Sequence, residues 1–213
     1  NINGLLKQKF PQYQIREGQV KMATLVMQAI VEKKSAVIEG ATGVGKGFAY
    51  LIPSIITGER VIISTSNKNL QNQLDRKDLP TLQRVFNSKL SWTVLKGKNN
   101  YFCREHFEAN QDEIRSTLMN APSSSFDFMG ADSVLQQIGK WADEETTGDL
   151  EYLPLDIPQK VRELIACDNQ TTHEVGSDGA NNCFATKARQ QAQNSQIILV
   201  NHTLLAIDIN LRK

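Results

Sequence analysis

Apolar positions in the stretch YQIREGQVKMATLVMQAIVEKK recur at mostly helical spacing through Val20, Ala23, Leu25, Val26, Met27, Ile30 and Val31. That spacing predicts an amphipathic helix over residues 18 to 32. The short apolar runs SAVIEG, ERVIIST (59 to 65) and SWTVLKG predict three strands, the first two of them buried. A helix is predicted from about Lys46 to Thr57, and NKNLQNQLDRKDLPTLQRVF reads as helical with a break near Pro80, because proline lacks the N–H that a helix interior needs. Strands alternating with helices predict an α/β fold with a parallel sheet.

The pattern changes after Gly97. Residues 98 to 187 carry little strand signal, and helical stretches such as DSVLQQIGKWADEE and PQKVRELIAC are separated by Ser-, Pro- and Gly-rich turns. ARQQAQNSQIILVNHTLLAI then restores helix, strand and helix. The expected organisation is one α/β domain, residues 1–97 and 188–213, interrupted by a mostly helical insert at 98–187.

Charge changes the picture more than overall composition does. The 213 residues are 40% hydrophobic and 22% charged with a net charge of +1, an ordinary globular balance. That near-neutrality is a cancellation. Residues 96 to 187 hold 8 Lys/Arg against 16 Asp/Glu, a net of −8, and the remainder holds 16 against 7, a net of +9. A basic core suits phosphate-rich ligands, nucleotide or nucleic acid, whereas the acidic insert suits protein contact or a local grip on DNA. No run reaches the roughly 18 apolar residues of a membrane span, and no basic-then-apolar signal peptide opens the chain, so a cytoplasmic protein without membrane contact is expected. The chain starts at Asn1 and ends at Arg212-Lys213, and it is read as a fragment of a longer protein.

Candidate chemistry centres on EGATGVGKGFAYLIP. Gly40-Ala41-Thr42-Gly43-Val44-Gly45-Lys46 fits the phosphate-loop pattern G-x-x-x-x-G-K between a predicted strand and a predicted helix. In that context the N–H groups of Gly43, Val44, Gly45 and Lys46 can line an anion-binding nest, and Lys46 can pair with the β- and γ-phosphates of ATP. The next position is Gly47 where the pattern wants Ser or Thr, the hydroxyl that normally ligates Mg2+. Glycine leaves room there for a water ligand, so an altered but working site is expected; Thr42 belongs to the loop but lies too early to replace the hydroxyl. Gln19 carries an amide able to read an adenine edge. Thr65, Ser66 and Asn67, following a strand, can meet DNA phosphates or simply cap a helix, and Lys68 and Arg76 extend this basic face.

The segments YQIREGQVKMA, EGATGVGKGFAYLIP, VIISTSNKNLQNQL, LKGKNNYFCRE and CFATKARQQAQNSQIILVNHTLL follow one another in an order that resembles the DinG/XPD-like DNA helicases of superfamily 2. The resemblance covers nearly the whole chain apart from about 108 to 165. It implies a RecA-like motor domain interrupted by an iron–sulfur domain, and ATP-driven 5′-to-3′ unwinding of DNA with ATP and Mg2+ as cofactors and single-stranded DNA as partner. It also implies that Gln19 reads adenine and that Asn201-His202 marks a strand exit. No acidic D-E-A-H box occurs before Lys213, and hydrolysis needs a metal-holding carboxylate and transition-state charge, so this chain alone is expected to be inactive. An adaptor that binds nucleotide with DNA or a CRISPR effector, without ATP turnover, is the alternative that Gly47 makes credible.

Cysteine is where the chain departs from that family. The family's cluster resembles one Cys after NY and three before the AR helix; Cys103 and Cys183 match the outer positions, and Cys167 is the one remaining cysteine. Four thiolates ordinarily hold a [4Fe–4S] cluster, so an iron–sulfur cluster is not expected. A metal-free vestigial insert, an unusual cluster, and a zinc site drawn from Cys103, His106, Cys167, His173 and Cys183 are the readings left open. Loss of cysteines resembles the type IV CRISPR-associated DinG branch, whose partner is a CRISPR ribonucleoprotein complex.

Overall fold

The computed structural model describes residues 14, 16–86, 89–121, 130–168 and 183–211. They divide into two compact units, one formed by Asn1–Val94 with Asn194–Lys213 and the other by Leu95–Gln193. Ten α-helices are assigned among the described residues. In the first unit these are α1 (Glu17–Glu32), α2 (Lys46–Thr57), α3 (Lys68–Gln73), α4 (Leu79–Phe86) and α10 (His202–Leu211). In the second they are α5 (Arg104–Ala109), α6 (Gln111–Met119), α7 (Ala131–Glu144), α8 (Gln159–Ile165) and α9 (Phe184–Asn194), the last ending at the unit boundary.

The first unit is α/β. Its sheet has three parallel strands, β1 (Val61–Thr65), β2 (Trp92–Val94) and β3 (Ile197–Asn201), in the order β1-β3-β2. Val61 and Trp92 both stand opposite Ile197, so β3 is paired on both sides. Its sequence IILVN is buried at the first four positions, as a central parallel strand covered on both faces requires. Leu51 and Ile52 of α2 and Leu79, Leu82 and Val85 of α4 pack with Ile197 and Leu199 into one core.

Two expectations are corrected here. SAVIEG, residues 35 to 40, has no ladder partner among the described residues, and Val37 is fully exposed. Apolar character favours burial, but a strand also needs a hydrogen-bonding neighbour, and no local pattern encodes that. The helix after Asn67 does not break at Pro80. It widens one turn earlier, as a π-turn over Leu74–Asp78 between α3 and α4. Pro80 cannot donate to the carbonyl one turn back, and a π-turn is a way for a helix to accommodate such a defect while continuing.

The second unit is mostly helical. Phe102, Phe107, Ile114, Ile138, Leu150 and Ile165 are among the residues of its core, with Phe102 packed edge-on against Trp141. Isolated antiparallel bridges, Tyr101 with Asp149 and Phe102 with Ala166, tie its entry segment down. Lys96 is 8% exposed and its ammonium is paired with the Asp149 carboxylate and, at 2.8 Å, with Glu151. Burial works to lower the Lys96 pKa, and the bonds to Asp149 and Glu151 overcome it and raise the value. No helix among the described residues is long and apolar enough to cross a membrane.

This buried ion group gives a direct test. Lys96→Ala leaves the Asp149 carboxylate buried without its cation, and a loss of about 3–5 kcal/mol is expected in urea unfolding. A loss within the ordinary ±0.5 kcal/mol range of surface substitutions contradicts this assignment.

Candidate functional site

The phosphate-loop sequence forms a turn whose conformation depends on glycine. Gly43 and Gly45 have φ values of 76° and 86°, in the left-handed region that side chains resist. Gly45 is the N-cap of α2 and, having no side chain, leaves the first-turn N–H groups of that helix without a side-chain cap. Lys46 opens the helix, exposed, with its Nζ donating to the Gly40 carbonyl at 2.9 Å. Thr42 is exposed in the turn, and Val44 is half-buried with its side chain toward Gly18.

Helix α1 lies against the loop. Arg16 donates to the Gly43 carbonyl, and Gln19 Nε2 donates to the Gly45 carbonyl at 3.0 Å. Gln19 is 6% exposed, so its amide nitrogen is engaged with the loop itself. Loop, α1 and the α3–α4 segment enclose an open cleft of about 770 Å³. Gly43, Gly45, Lys46, Gly47 and Gln19 line it, together with Arg16, Gln73, Lys77 and Asp78. The last four carry no signal in a phosphate-loop pattern. Arg16 alone was accessible to pattern reading, since it stands three residues, one helical turn, before Gln19.

At the far end of the cleft the space beside Gly47 is taken by protein. A Cβ at Gly47 would lie 2.9 Å from Asp78 Oδ2, so the room expected for a water is faced by a carboxylate. Burial pushes the Asp78 carboxyl upward, against the lowering effects of the Gln73 hydrogen bond and Lys77.

Of the residues expected to meet DNA, Thr65, Ser66, Asn67 and Lys68 lie from the end of β1 to the start of α3, whereas Arg76 stands farther along, in the π-turn. Thr65 is buried and its hydroxyl donates to the Asn67 carbonyl at 3.1 Å. Asn67 caps α3, its Oδ1 accepting from Leu70 N at 2.9 Å. Ser66, Lys68 and Arg76 are exposed. Asn201, opposite Thr65 in the ladder, accepts from Leu204 N at 2.7 Å, and His202 Nδ1 is 2.7 Å from the Ser64 hydroxyl. Outside the carboxyl ends of parallel strands is where open α/β sheets place ligands.

The second unit brings the three cysteines together. Cys103 N donates to the Ile165 carbonyl and Cys167 N to the Tyr101 carbonyl, each at 2.8 Å, which sets the two segments side by side. Cys183, just before α9, has its Sγ 4.0 Å from Cys167 Sγ. Tyr101, Ala185 and Ala188 pack around them. His106 Nδ1 is 2.7 Å from the Ala166 carbonyl, and His173 lies outside the described residues. Three thiols do not supply the four thiolates of a [4Fe–4S] cluster, and among the described residues no group of three or more His, Cys, Asp or Glu is arranged to hold a metal ion.

A hydrogen bond from Cys167 and those from Thr186 and Ala185 at the start of α9 outweigh burial and hold the Cys183 thiol down at about 4. Its folded pKa lies below the unfolded thiol value, so its stabilising contribution is complete above the unfolded value and is lost as pH falls through about 4. Iodoacetamide should therefore alkylate Cys183 at pH 6, where an ordinary thiol with a pKa of about 8.5 is mostly protonated. Peptide mass mapping across pH 4 to 9 checks this; an ordinary thiol profile at Cys183 contradicts it.

No protein-family model matches the chain. Among curated proteins, it is 34% identical over 225 aligned positions to the ATP-dependent DNA helicase YoaA of Haemophilus influenzae, covering 100% of this chain and 32% of that protein. It is 31% identical to YoaA of Escherichia coli, covering 97% of this chain and 31% of that protein. The 3′-5′ exonuclease DinG of Bacillus subtilis is 31% identical over 95% of this chain and 21% of its own length. The chain thus spans a third or less of the length of these relatives. Along nearly its whole length the chain is thus similar to a part of proteins named as DinG-like DNA helicases.

Proposed function

We propose that the chain forms part of a cytoplasmic, ATP-driven 5′-to-3′ DNA helicase, its first unit being a RecA-like motor domain. The observation that carries this reading is the glycine-capped N-terminus of α2, with Lys46, opening onto the cleft. Backbone N–H groups of Gly43 to Lys46 and the helix end would bind the β- and γ-phosphates. Lys46, now on the Gly40 carbonyl, would exchange that neutral acceptor for a phosphate oxygen, a stronger charge-assisted bond. Gln19 would present the remainder of its amide to the adenine. Magnesium, when bound with ATP, supplies neutralisation of phosphate charge; oxygen donors at the Gly47 end of the cleft suit it. Hydrolysis needs in addition an oriented water and transition-state charge, which in this reading the rest of the helicase would supply.

Single-stranded DNA would run past Thr65, Ser66 and Asn67, with Lys68 and Arg76 meeting its phosphates. The second unit, with three thiols in place of four, is read as a vestigial iron–sulfur domain. Its loss of cysteine and its acidity favour a protein partner and support membership of the type IV CRISPR-associated branch, for which co-purification with the CRISPR ribonucleoprotein is the check. Gly47 favours a second reading, a nucleotide-binding adaptor that does not turn over ATP. Steady-state ATPase of the full-length protein separates the two. Turnover stimulated by single-stranded DNA supports the helicase, and nucleotide binding without turnover supports the adaptor.

Two substitutions test the site. Lys46→Ala should lower ATP turnover by about 10²-fold or more, as loss of one charge-stabilising donor typically does, while unfolding stability stays within about 0.5 kcal/mol because the side chain is exposed. Unchanged turnover would place the nucleotide elsewhere. Neutralising Lys68 and Arg76 together should reduce the slope of log affinity for single-stranded DNA against log salt by about 1 to 2. An unaltered slope rules these two out as phosphate contacts.

A further inference from the structure

We infer that Asp78 is a protein ligand of the nucleotide-bound magnesium ion, its carboxylate standing in for the hydroxyl that Gly47 lacks. This rests on the reading of the cleft as an ATP site and names a residue that the phosphate-loop pattern does not contain.

Four observations carry it. Asp78 Oδ2 lies 2.9 Å from where a Cβ of residue 47 would be, which is the neighbourhood that a serine or threonine side chain at 47 would occupy. Asp78 lines the same cleft as Lys46 and Gly47. It is 6% exposed, and among the described residues Gln73 Nε2, at 3.2 Å, is the donor that reaches its carboxylate. A carboxylate offers about four lone-pair sites, so one neutral amide, with the Lys77 charge nearby, leaves acceptor capacity for a cation in the cleft that Asp78 lines. The π-turn Leu74–Asp78 accounts for its aim: an extra residue in the turn changes the direction in which the following positions face.

Chemistry then selects the ligand. A carboxylate beside the β- and γ-phosphates repels them unless a cation stands between. Mg2+ takes hard oxygen ligands at about 2.0–2.1 Å in octahedral geometry, commonly one or two carboxylates plus phosphates and waters. The same geometry explains the glycine. Any side chain at 47 presses on Asp78, so hydroxyl and carboxylate are alternative solutions at one place. A serine at 47 alone would therefore compete with Asp78 rather than simply improve the site.

The test is Asp78→Asn in the full-length protein, an isosteric change that keeps the Gln73 neighbour. Binding of a fluorescent ATP analogue is titrated at rising Mg2+ and again in chelator. The variant should need about tenfold or more Mg2+ for half-maximal binding, a loss of the size seen when a metal site's supporting groups are altered. Metal-free analogue should bind it as tightly as wild type or more tightly, because a repelling charge has gone. The double variant Asp78→Ala with Gly47→Ser, which vacates the space and restores a hydroxyl, should return the Mg2+ requirement toward wild type. An unchanged Mg2+ requirement overturns the inference, and so does an equal loss with and without metal, which marks Asp78 as structural. If wild type binds no analogue at all, the nucleotide reading falls with it; intact wild-type binding that Lys46→Ala weakens, beside an unaltered Asp78→Asn, sinks the magnesium role alone.

Discussion

Close approach at glycine positions sets the geometry of the cleft. Gly18 lets α1 lie on Val44, where a Cβ would come within 2.8 Å of that side chain, and Gly45 leaves space for the Gln19 amide. Gly47 does the same for Asp78. The loop is thereby tied from one side by Arg16, the N-cap of α1, and by Gln19 within it, which take up the carbonyls of Gly43 and Gly45. Its remaining backbone groups and Lys46 are left for the cleft. A phosphate loop is usually described by what it binds, but here its shape is also a packing problem, solved by removing side chains where two other segments press in.

The second unit uses a close glycine approach too, since a Cβ at Gly148 would clash with the Phe184 side chain and Phe102 N donates to the Gly148 carbonyl at 2.8 Å. To this its entry segment adds buried charge and thiols. Lys96 is matched by two carboxylates on Asp149 and Glu151, and Asp149 Oδ1 also accepts the Glu151 N–H at 3.1 Å. Desolvation offsets much of the attraction in such a group, so breaking it costs more than the intact group adds in net stability. The thiols sit in a small apolar cluster with Tyr101 and two alanines of α9. Within that cluster Cys167 Sγ lies 3.5 Å from the Phe102 carbonyl and 4.0 Å from Cys183 Sγ.

Much of this was legible in the sequence, and the failures have a common cause. The helix over residues 18 to 32, the strand in QIILVN and the helical character of DSVLQQIGKWADEE each follow from a local period, and the structure contains each of them. Lys46 at the head of a helix followed from the phosphate-loop pattern, which is also local. SAVIEG misled because strand pairing is a property of two segments. Asp78 was silent for the same reason. In DRKDLP it reads as an exposed helical acid, and only the π-turn and the missing Cβ at Gly47, 31 residues earlier, bring it to the cleft. The three cysteines show the limit from the other side. Their spacing along the chain left a vestigial insert, an unusual cluster and a zinc site all open, and it is the bridge between Phe102 and Ala166 that brings Cys103 beside Cys167.

The order β1-β3-β2 has a consequence for how the protein is made. β3 is the middle strand, and it is the last of the three to leave the ribosome, after the whole of Leu95–Gln193. β1 and β2 therefore have no mutual ladder and must wait for β3. At about 5–20 residues per second, that delay lasts several seconds. Meanwhile the second unit is contiguous in the chain and free to condense first. Closing a sheet across so long a separation is entropically slow, so the apolar faces of α2 and α4 stay uncovered during synthesis. Uncovered apolar surface of that kind is what makes partly made chains prone to aggregate, and the cleft, whose α2 wall belongs to the same core, is completed only when synthesis has passed Asn201.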